Sequence, residues 1–77
     1  MHLPMDDQRK WKAAREDARK SVTEVLQLAS RHDDTDLLEL GCELRDRYLH
    51  RPFDMKNLQQ IRGEADWAVV EYQLRRG

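Results

Sequence analysis

Covalent bracing is excluded from the outset, because the sequence holds a single cysteine, Cys42. Glycine is scarce too, with three in 77 residues, and none forms the glycine-rich loop that cradles a phosphate. No apolar run approaches the ~20 residues of a membrane-spanning helix. The opening M-H-L-P-M-D-D lacks the basic and apolar regions of a signal peptide, so the cytoplasm is the expected compartment. Charge of one sign is also missing. Fourteen Lys and Arg stand against 15 Asp and Glu, a net charge of −1. An obligate nucleic-acid-binding domain is expected to be basic. Repeats, low-complexity stretches and linkers are absent, so residues 1–77 read as one helical domain.

What the chain does have is helical periodicity. The stretch Asp36–Leu49 places Leu37, Leu40, Gly41, Leu44 and Tyr48 on one face of a helix. Leu38, Cys42 and Leu49 make a second apolar stripe beside the first. Two stripes imply two neighbours, the pattern expected of a middle helix in a small bundle.

Upstream, a first helix is predicted from Met5 or Asp6 to Arg31. Pro4 suits its first turn, and Asp6 and Asp7 suit the positive end of its dipole. Its apolar seam is Trp11, Ala14, Ala18, Val22, Val25, Leu28 and Ala29, with Leu26 at the edge. The turn Ser30–Thr35 is rich in helix-capping residues. Asp36 and Glu39 resemble a capping box, with Asp33, Asp34 and Thr35 as alternative caps. Acidic groups near His32 lack the spaced ligands and glycine of a calcium loop.

The second helix should end near His50, because Pro52 disfavours helical geometry at Arg51. Asp54 is the predicted N-cap of a third helix, with Phe53 and Leu58 spaced as a hydrophobic staple. One stripe of this helix is Leu58, Ile61, Ala65, Ala68, Val69 and Tyr72. Trp67, Val70 and Leu74 fall roughly opposite, so its last third is apolar nearly all round. Gly63 lies inside the helix and suggests a kink, a close crossing or an exposed position.

The expected fold is therefore all-α: a three-helix bundle with a long first, a short central and a long third helix. Dimerisation is a way for so small a core to be completed. At 1.5 Å per residue the helices span about 39, 21 and 33 Å. A brief middle helix then leaves two overhangs, one carrying Trp11 and the other Trp67, Val70 and Leu74. These four residues are the candidate protein interface, for a protein partner or a second copy of the chain.

The first half of the first helix is basic, and Arg9, Lys12, Arg15 and Arg19 are the candidate contacts to an acidic partner or phosphates. Glu16 and Asp17 interrupt that run, so a solvated face is the simpler expectation. No cofactor, metal site or small-molecule substrate is inferred, and no triad or metal spacing points to an enzyme. The function expected first is a non-enzymatic interaction module: a regulator, adaptor, inhibitor or chaperone-like protein. A nucleic-acid-associated regulator and a purely structural homodimer stand behind it.

Overall fold

The computed structural model describes the backbone of residues 5–76 and the side chains of residues 9–75. Three helices follow one another: α1 Met5–His32, α2 Thr35–His50 and α3 Met55–Arg76. They pack into a rod of 49 × 23 × 17 Å, with contacts among all three. No helix among the described residues is long and apolar enough to cross a membrane.

The first turn is built by two aspartates. Asp33 takes a left-handed conformation, φ 51°. That geometry lets the Asp34 amide reach back to the Ala29 carbonyl at 3.1 Å, closing the end of α1. Asp34 then opens α2, its Oδ1 accepting from the Leu37 amide at 3.0 Å. The cap of α2 is thus Asp34, one of the alternatives, rather than Asp36. At the second turn the Asp54 carboxylate accepts from the Asn57 amide at 3.1 Å, as expected for the cap of α3.

The core follows the predicted seams. Ala18, Val22, Val25 and Ala29 of α1 meet Leu37 and Leu44 of α2 and Leu58, Ile61, Ala65, Ala68 and Val69 of α3. Ser21 is buried among them, a polar residue the apolar pattern does not flag. Gly41 faces α1 so closely that a Cβ there would lie 2.6 Å from Leu26 Cδ2. Its missing side chain lets the two helices approach.

One expectation fails in an informative way. A single stripe of α2 serves both neighbours, and the second does not find a helix of its own. Leu38 and Leu49 remain exposed and Cys42 half-buried. The most extensive helix contact is α1 with α3, and α2 meets α3 least. The element around which the bundle is organised is therefore α1.

Candidate protein interface

The register of α3 on α1 decides what is left uncovered. At the lower end Phe53 sets its ring against the indole of Trp11, edge to face, with centroids 6.4 Å apart. Met55 and Leu58 share a groove with Ala13 and Ala14. At the upper end the rings of His32 and Tyr72 lie 5.3 Å apart. With ring contacts at both ends, the stretch of α1 from Trp11 to His32 runs beside the chain from Phe53 to Tyr72, and only the last turn of α3, with Leu74, lies beyond that pair.

This corrects the expected overhangs. Trp11 does not stand on a free tip: it is half-buried, packed on the core and covered by Phe53 of its own chain. The physical reason is the second turn. Residues 51–54 carry the chain further down α1 than the length of α2 alone, so α3 starts beside Trp11. Trp67 does not extend past α1 either, since it precedes Tyr72, which is already level with His32.

Trp67 is nonetheless 64% exposed, Val70 44% and Leu74 73%. The cause is direction rather than length. At 100° per residue these three lie opposite the Ile61–Ala65–Tyr72 stripe that enters the core. Gly63 falls on the same outer line, and a Cβ built there meets nothing within 4 Å. A close crossing inside the chain does not account for this glycine, which sits at an exposed position. The outer face of α3 thus reads Gly63, Trp67, Val70, Leu74, an exposed apolar strip with one gap.

Two ion pairs border that strip on the α2 side. Arg47 holds Glu64, and Arg75 holds Glu71. On the α1 side Arg62 bridges Asp17 at 3.3 Å and Asp66 at 3.7 Å. The strip is therefore apolar with a charged and largely paired rim.

Three of the four basic candidates share an exposed side of α1, and the fourth packs inward. Arg9, Lys12 and Arg19 are exposed on α1, with Glu16 exposed on the same side. Arg15 is half-buried, its guanidinium 4.7 Å over the Phe53 ring. That contact makes it a packing residue of the lower end. Arg19 lies beside a small apolar groove of Val22, Leu26, Tyr48 and Leu49 between α1 and α2. Of the second stripe of α2 only Leu49 reaches this groove, so the spacing of that stripe did not signal it.

His50 Nδ1 donates to the Asp46 carbonyl at 3.0 Å, within the last turn of α2. Among the described residues no three His, Cys, Asp or Glu side chains gather as a metal site. Compared with protein-family models, with curated proteins and with solved structures, the chain matches none.

Proposed function

We propose that this chain is a non-enzymatic protein-interaction module that works through the outer face of α3. One observation supports the reading above others. Trp67, Val70 and Leu74 are exposed together, while the opposite face of the same helix fills the core. Tryptophan is the residue most concentrated at energetic centres of interfaces, and a rim of polar and charged groups is the usual surround. A rigid helix presenting an apolar line to a partner is a common mode of recognition.

The test is photo-crosslinking in the native cell. A photoreactive amino acid is placed at position 70, and in a second strain at Gln27, exposed on α1. Discrete adducts from position 70, absent from position 27 and lost with Trp67→Ala, are the expected result. No adduct of any kind from position 70, in a chain shown to be folded, overturns the proposal.

A further inference from the structure

We infer that a second copy of this chain covers the outer face of α3, antiparallel, with Leu74 of each copy seated over the partner's Gly63. The inference rests on the reading of that face as an interface and names its occupant.

Gly63 is where the inference starts. A glycine in a helix interior weakens the helix, and nothing in its own chain needs the space. Gly63, Trp67, Val70 and Leu74 are spaced four, three and four, the repeat by which one helix packs along another. A two-fold axis passing between the two helices, level with the midpoint of Ala68 and Val69, brings Leu74 opposite the partner's Gly63 and Trp67 opposite the partner's Val70. Every large side chain of the strip then meets a small one, and the gap at Gly63 is filled. A parallel pairing would stack glycine on glycine, leaving a hole, and would set one indole against the other.

The rim agrees with this register. Glu64 of one copy comes near the partner's Glu71, which would repel if both were bare. Arg47 and Arg75 already hold these carboxylates within each chain. On the other edge Asp66 comes near the partner's Gln73, with no like charge. The seam from Gly63 to Leu74 contains no charged residue. A closed two-fold contact also ends the association at two copies. Three side chains and one gap form a contact below the usual ~800 Å² per partner, so the pair should dissociate in the micromolar range.

The test is sedimentation equilibrium of the full chain from low to high micromolar concentration, for the wild type and Gly63→Gln. Glutamine is a good helix former, and a Cβ at the exposed position 63 meets nothing within 4 Å. The wild type should dimerise, and Gly63→Gln should weaken the dimer about tenfold or more by filling the Leu74 seat. Its thermal unfolding at low concentration should not fall. Direction is read by oxidising a mixture of Gly63→Cys and Leu74→Cys chains, both carrying Cys42→Ser. A mixed disulfide formed in preference to either homodimer is expected.

A wild type that stays monomeric at high micromolar concentration overturns the inference. So does a dimer indifferent to Gly63→Gln, or a preferred disulfide between two copies of position 63. If the wild type is monomeric but position 70 still captures another protein in the cell, only the second copy fails. If position 70 captures nothing, the interface reading fails with it.

Discussion

Asn57, in the first turn of α3, ties down the end of α2 through Arg47. Its side-chain amide donates to the main-chain oxygen of Arg47 at 3.0 Å and to that of Arg51 at 3.2 Å. The Arg47 carbonyl already accepts from the Arg51 amide at 3.2 Å, and the next helix adds a second donor to it. The same residue donates its main-chain N–H to Asp54, so a single position joins both sides of the second turn. Asn57→Ala should therefore cost about 1 kcal/mol, the loss of two partly exposed hydrogen bonds. Urea unfolding monitored by circular dichroism reads it, and an unchanged midpoint would refute the assignment.

Asp33 occupies the left-handed region, where a side chain carries a steric cost and glycine none. Asp33→Gly should stabilise the chain by about 0.5–1 kcal/mol, even though it adds a flexible residue. A lowered midpoint of thermal unfolding would show that the turn needs the aspartate for some other reason.

The two helical glycines should respond to alanine with opposite signs. Gly63→Ala gains helix propensity against open space and should stabilise the monomer by about 1 kcal/mol. Gly41→Ala gains the same propensity but forces its Cβ against Leu26 and the buried Val25. Overpacking costs about 1–3 kcal/mol, so the net effect should be a loss of about 1 kcal/mol. Melts at low micromolar concentration separate these effects from any self-association.

Leu44 and Trp67 should part company in the same way. Leu44 is fully buried, and Leu44→Ala should cost about 2–5 kcal/mol of stability. Trp67→Ala, at an exposed site, should change folding by about 0.5 kcal/mol or less. Its effect should appear in partner binding instead. Equal losses in denaturant midpoint would place Trp67 in the core.

The core of this bundle was legible because burial on a helix is periodic. Leu58, Ile61, Ala65, Ala68, Val69 and Tyr72 repeat at three and four residues, and the structure puts them inside or against the core. Asp54 was legible as a cap because its carboxylate acts on a main-chain N–H three residues away, within reach of local reasoning. The choice between Asp34 and Asp36 was less so. It turned on the φ angle of Asp33, which several neighbouring polar residues could have adopted.

Trp11 and Trp67 mark the boundary between what the chain says locally and what the fold decides. By itself the sequence determined three helices, their order and the faces they bury, since these follow from side-chain spacing and from groups a few residues apart. Only the tertiary structure decided which apolar residues outside those faces find a neighbour. A turn of four residues set the start of α3 beside Trp11, so that Phe53 closed over it. The same packing left Trp67 beside the open position of Gly63. Such a choice depends on where one helix starts along another, a distance summed over the whole chain that no local repeat records.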